Sequence, residues 1–274
     1  MPETNQKNVQ SLYESYKNLF AKTKPDWTQK KPNGIDFIHP TIPFVGRNYD
    51  KCRVLIYASA ENLTYLNNNR ENNDLFIVDD KAMNRHRDHF EQTKDCEYFP
   101  NVHCQPISDG RLTLAAAYIC KKLKIEAYYE TPKDFLECVS FANFGKFSIQ
   151  SKENEKKNID YARNVEKLSA SFEYVKADLS ILNPKYIIMP KTIFQHEKVG
   201  DLLKTYSKQA DINPIYQINV GVINRTINRK YDKKSFSELD FNLQNWYNSF
   251  KWPDKSKENY RSVFTYLDCD TNSD

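Results

Sequence analysis

The chain carries only six glycines in 274 residues, and the turn after its first apolar strand uses none of them. A phosphate-cradling turn needs glycine so that backbone amides can close on the ligand. Here the apolar run that follows Arg53 passes instead into Ala58-Ser59-Ala60-Glu61-Asn62. A carboxylate and an amide therefore stand where a nucleotide binder would present bare backbone. Long apolar runs are also missing: none approaches the roughly 18 to 20 residues of a membrane span. The opening MPETNQKNVQSLY has neither an apolar signal core nor an Arg-rich transit pattern, so a cytoplasmic location without membrane contact is expected. The six cysteines, Cys52, Cys96, Cys104, Cys120, Cys138 and Cys269, are scattered. Several sit inside apolar patterns, where a thiol is a small hydrophobe, and they read as reduced core residues. His86, His89, Cys96, His103 and Cys104 are dense, but they lack the paired short spacings of a closed zinc site and the four-cysteine pattern of an iron-sulfur cluster. Neither a metal nor another cofactor is expected.

What the chain does have is an apolar fraction of 39% beside 28% charged residues, the balance of a soluble globular protein. The net charge of +4 is a small excess of 40 basic over 36 acidic residues, and its distribution says more than its size. Lys146, Lys152, Lys156 and Lys157 crowd one loop, and Arg225, Arg229, Lys230, Lys233 and Lys234 crowd another, with aromatic residues nearby. Basic tracks interleaved with stacking groups are what a nucleic-acid surface requires. A solvated charged loop is the simpler account of each run taken alone.

Along the chain, Val9, Leu12, Tyr13, Tyr16, Leu19 and Phe20 recur on one face of a helix, which ends ahead of Pro25 and Pro32. A Pro-rich connector through HPTIPFVGRNY leads to the first strand, residues 54–57. LFIVDD, residues 75–80, is a second short apolar run, as compatible with a helical turn as with a strand. RLTLAAAYICKKL, after Ser108-Asp109-Gly110, has a helix start and a basic helix end. CVSFANF, residues 138–144, is a buried strand. Residues 159–182 step through Ala162, Val165, Leu168, Phe172, Val175, Leu179 and Leu182 as one long amphipathic helix stopped by Pro184. KYIIMP is a strand, a helix through Leu202, Leu203 and Tyr206 follows, and PIYQIN is another strand. A last helix is expected over residues 241–250.

Strands separated by helices imply parallel pairing, because each crossover returns the chain to the same end of the sheet. The expected fold class is α/β, a three-layer α/β/α domain around a central parallel sheet of about four strands. Residues 1–50 form an N-terminal helix and connector packed on the core, and residues 51–274 form a single domain. In such a sheet the segments after the strands meet at one edge. They are Ser59-Ala60-Glu61-Asn62, Asn143-Phe144-Gly145-Lys146, Lys191-Thr192 and Asn219-Val220-Gly221. Amides read the mixed donor and acceptor edge of a nucleobase, and a carboxylate activates water. Capping of the following helix accounts for any single one of these residues.

The order of these features, with SFANFGKF after the second strand and LNPKYIIM leading into the next, resembles the uracil-DNA glycosylase superfamily over roughly residues 44–225. The resemblance implies a DNA-binding hydrolase that flips a damaged or modified base out of a duplex and cuts its N-glycosidic bond. It implies that Glu61 or Asn62 orients the attacking water, that Asn143 reads the base, and that Phe144 lies against the base face. Asn219 and Arg225 would stabilise the leaving base or grip the backbone. Ser59 and Phe44 would complete the pocket wall. Lys146, Arg225, Arg229, Lys230 and Arg85 would hold phosphates. Counted without a gap, the activating position falls on Ala60, and Glu61 takes it only with the turn shifted by one. The last motif, INVGVINRT, carries no His; a neutral amide stabilises a base anion less than an imidazole does, although an Arg would take over that role. Two other functions stay open: a non-catalytic nucleic-acid binder on the same fold, and a nucleoside- or nucleotide-acting enzyme. DNA is the expected partner and a monomer the expected state.

Overall fold

A computed structural model describes residues 3–23, 40, 42–60, 116, 120, 135, 137–147, 168–194, 196–210 and 215–218. Helix α1 (Glu3–Thr23) opens the chain, followed by strand β1 (Phe44–Val45), the single turn α2 (Tyr49–Cys52) and strand β2 (Val54–Ala60). Strand β3 (Val139–Gly145), helix α3 (Phe172–Leu182), strand β4 (Tyr186–Pro190), the short helix α4 (Lys191–Phe194), helix α5 (Glu197–Ala210) and strand β5 (Ile215–Ile218) follow among the described residues. The five strands form one mixed sheet in the order β1-β3-β2-β4-β5. The last four are parallel, and β1 pairs with β3 antiparallel through Phe44 with Phe141 and Val45 with Ser140.

The β1 strand lies in what the sequence presents as a Pro-rich connector, and α2 starts at its last residue, Tyr49. Two residues are too few to leave a periodic signal; they pair because Gly46 and Asn48 continue the ladder, donating to the Val139 and Glu137 carbonyls at 2.9 and 2.6 Å. The Ser140 hydroxyl adds a bond to the Phe44 carbonyl at 2.7 Å.

Alternation of side chains sorts the sheet into two faces. Leu55, Tyr57, Ala142, Phe144, Ile187 and Met189 share one face and pack with Leu12, Tyr16 and Phe20 of α1, Val175, Leu179 and Leu182 of α3, and Val199 and Leu203 of α5. Each of these helices therefore buries the apolar stripe its sequence spacing marks out. Val54, Ile56, Ala58, Val139, Phe141, Asn143 and Ile188 fall on the other face. There Phe135 meets Phe141 edge-on, with ring centroids 6.1 Å apart. Strand order accounts for this division. From β2 the sheet grows first toward β3 and then, on the opposite side, toward β4 and β5. Right-handed crossovers running in opposite directions leave the sheet on opposite faces.

Two left-handed residues fasten the amino edge. Asn183 (φ 44) ends α3 and donates its amide to the Leu179 carbonyl at 3.0 Å, while Arg53 (φ 53) ends α2. The Arg53 guanidinium donates to the Asn183 carbonyl, with Nε at 2.6 Å, and the Arg53 carbonyl accepts from Lys185 and Tyr186 at 2.8 and 3.2 Å. The charge thus lies at the carboxyl end of a helix, where the dipole favours a cation. Parallel strands β2 and β4 are brought into register at the point where each begins.

Two expectations are corrected by the chain path. Residues 159–182 were expected to be one helix, but at residues 170–171 the backbone turns, and regular helix starts only at Phe172. The Ser171 hydroxyl is engaged there by the Lys146 backbone amide at 2.8 Å. Strand β2 also runs on through Ala60 rather than ending at Tyr57. Ala58 pairs with Asn143 and Ala60 with Gly145, so β3 carries those small residues as strand. Ala116 and Cys120, from the alanine-rich segment, are helical and buried, one turn apart. The expected helix at 241–250 and the run at 75–80 lie outside the described residues.

Candidate functional site at the carboxyl edge of the sheet

The four parallel strands all point their carboxyl ends to one edge, but they do not stay together there. The ladder between β2 and β4 runs through Val54 with Tyr186, Leu55 with Ile187 and Ile56 with Ile188 and ends. The β2–β3 ladder continues four residues further along β2, to Ala60 with Gly145, and the β4–β5 ladder continues to Pro190 with Ile218. Past Ile56 the sheet therefore splits into a β2–β3 half and a β4–β5 half. Pro190 has no N–H to donate, so β4 brings a weakened edge to the gap. The split coincides with the reversal of strand order at β2, where open α/β sheets bind their ligands.

Of the residues the sequence singles out, Asn143 and Phe44 belong to one face. Asn143 is 1% exposed on β3, and Phe44, 3% exposed, pairs with Phe141 two positions earlier on the same strand. Ser59 lies in the backbone of β2 next to Ala60. Glu61, Asn62, Asn219, Arg85, Arg225, Arg229 and Lys230 lie outside the described residues, as do His86 and His89.

Phe144 and Lys146 require correction. They stand at odd spacing from Asn143, on the opposite face, and both are buried in the core. Phe144 is edge-on to Tyr57 and Phe172, with centroids 5.3 and 6.3 Å away, so its ring is occupied by packing and is not offered to a base beside Asn143. Lys146 is 1% exposed, and its ammonium donates to Asp178 Oδ2 at 2.6 Å. A lysine held in that way does not reach a phosphate in solvent.

What Lys146 enters instead is a polar cluster that sequence reasoning missed. Asp178 on α3 accepts from Tyr16 at Oδ1, 2.7 Å, and from Tyr57 at Oδ2, 3.0 Å, besides Lys146. The Lys146 ammonium also lies 5.5 Å from the Tyr16 ring centroid and 5.4 Å from that of Tyr57. The buried charges are one of each sign, and three donors converge on the carboxylate, which is what allows a dry interior to hold it. Burial still pushes the Asp178 carboxyl above its ordinary range, against the pull of Lys146 and the two hydroxyls. Burial likewise raises the Tyr16 and Tyr57 hydroxyls well above theirs, with the Asp178 charge acting in the same direction. The signal was present in the sequence: Asp178 sits between Val175, Leu179 and Leu182, a carboxylate inside an apolar stripe.

No protein-family model, curated protein or solved structure matches the chain. Among the described residues no group of three or more His, Cys, Asp or Glu is placed to hold a metal ion, and no helix is long and apolar enough to cross a membrane. Cys52, Cys120 and Cys138 are buried thiols. A hydrogen bond with Cys138, followed by burial, drives the Cys52 thiol far above its ordinary value, which keeps it a poor nucleophile at neutral pH.

Proposed function

We propose that the chain is a divergent member of the uracil-DNA glycosylase type, a three-layer α/β/α protein that takes an extruded base into the cleft between the β2 and β4 ends. The observation that carries this reading is the split of the sheet at its reversal of strand order. It leaves the β4-facing side of residues 58–60 outside the β2–β4 ladder, and a base edge carries the alternating donors and acceptors that backbone amides and carbonyls complement. Asn143 stands across the β2–β3 ladder from Ala58, on the face where Phe135 packs against Phe141. Glu61 directly follows Ala60 and would orient water against the sugar carbon, with Asn62 beside it. Asn143 would read the base against a wall that includes Phe44. Asn219 and Arg225, just past β5, would stabilise the departing base, and Arg229, Lys230 and Arg85 would hold phosphates. Phe144 and Lys146 have no part in contacting DNA.

The test is an abasic-site assay on duplexes carrying uracil, mismatches or bulky modified pyrimidines. Base release from at least one of them is expected, and Asn143→Ala should lower kcat/KM about 10- to 100-fold, the scale of a lost base-reading hydrogen bond pair. Glu61→Gln should reduce kcat with KM little changed, since water activation belongs to the transition state. No abasic product from any duplex would remove the enzymatic reading. DNA affinity that survives and falls steeply with salt would then leave a binding protein, and thermal stabilisation by free nucleosides would leave a small-molecule enzyme.

A further inference from the structure

Lysine at the exit of a strand ordinarily extends its ammonium into water, because burying it costs far more than leaving it solvated. Lys146 is the first residue after β3, and it turns inward. Its backbone amide donates to the Ser171 hydroxyl at 2.8 Å and its ammonium to Asp178 at 2.6 Å. Ser171 immediately precedes α3 and Asp178 lies two turns into it, so one residue is tied to α3 from both of its ends. Tyr57, donating to the same Asp178 oxygen, brings β2 into the same tie. Stability alone does not call for this arrangement, since apolar side chains of similar volume fill such a space as well or better. Directed bonds add something apolar contacts lack: they fix where the backbone goes.

We propose that Lys146 is a positioning residue, which with Asp178, Ser171 and Tyr57 clamps the β2–β3 half of the split sheet to α3 and so holds Asn143 at the cleft. The role assigned to Asn143 rests on the base-binding reading above; the clamp does not. Lys146 directly follows β3, Ser171 directly precedes α3, and Tyr57 is the first β2 residue past the end of the β2–β4 ladder. The residues they immobilise are those at which β2 parts from β4.

Amide hydrogen exchange, read by mass spectrometry on the full chain, separates positioning from stability. Lys146→Met alone leaves Asp178 buried without its cation and is expected to unfold easily, so the informative variants are Ser171→Ala and the neutral pair Lys146→Met with Asp178→Asn. Both are expected to keep a melting temperature within a few degrees of the parent while amides of residues 143–147 exchange about tenfold faster, the scale of one lost buried hydrogen bond. The β4 amides should exchange at parental rates. Parental exchange at residues 143–147 in both variants would overturn the clamp. On a duplex that the parent cleaves, the neutral pair should lose about tenfold in kcat/KM. If the parent cleaves none, it is the base-excision reading that fails, and the exchange rates still decide the clamp.

Discussion

Asp178 is the one buried carboxylate among the described residues. Fully buried, it is acceptable only because an ammonium and two hydroxyls converge on it. Asp178→Ala should cost about 3 to 5 kcal/mol, because it strands Lys146 in the core as an unmatched cation. The neutral pair Lys146→Met with Asp178→Asn should recover most of that loss, and urea unfolding of the single and paired variants measures the difference as a coupling energy. Read from sequence alone, Lys146 belongs to a DNA-facing basic loop and Asp178 has no role. Lys146 was grouped with the basic loop by charge; its parity with Phe144 along β3 was the better guide, since it set the side chain on the core face. Asp178 interrupts an apolar stripe, and a charge in such a position demands a partner that local sequence does not name.

Elements obey local rules where their ends carry special backbone geometry. Asn183 occupies left-handed space at the end of α3, a conformation that asparagine tolerates and glycine adopts without strain. Asn183→Gly should therefore leave stability within about 0.5 kcal/mol of the parent or raise it, whereas Asn183→Val should lower it by about 1 to 2 kcal/mol. Thermal unfolding of the two variants checks the sign. The periodic elements α1, β3, α3, β4, α5 and β5 were legible because burial imposes its spacing on the sequence. The break at residues 170–171 was not legible, for it depends on a hydroxyl meeting an amide 25 positions away. The two-residue β1 was not legible either, since its pairing is settled by the β3 edge it joins.

At the scale of the molecule, the interior resists ionisation. Burial raises the hydroxyls of Tyr16, Tyr49 and Tyr57 well above their ordinary value of 10.0, and raises Tyr206 in the same direction. A group whose folded pKa exceeds its unfolded one favours the folded state fully below the unfolded value. That contribution is lost as pH climbs from the unfolded value toward the folded one. Stability should accordingly fall as pH rises beyond the ordinary tyrosine value, with unfolding midpoints in urea dropping steadily. Tyrosinate absorbance should develop in two stages, exposed tyrosines first and the buried set only as the chain unfolds. Tyr57→Phe removes one such hydroxyl and should flatten the alkaline decline, at the expense of one bond to Asp178.

The amino-acid sequence by itself determined where the longer strands and helices among the described residues lie, and that those strands run parallel, because apolar spacing and chain punctuation are local consequences of burial. It also placed Asn143 and residues 58–60 at the same edge. The tertiary structure alone decided the strand order, the end of the β2–β4 ladder at Ile56 and Ile188, and the inward turn of Lys146. Those depend on which strands become neighbours and on which distant carboxylate receives a cation. Neither is encoded in the spacing of residues along one element.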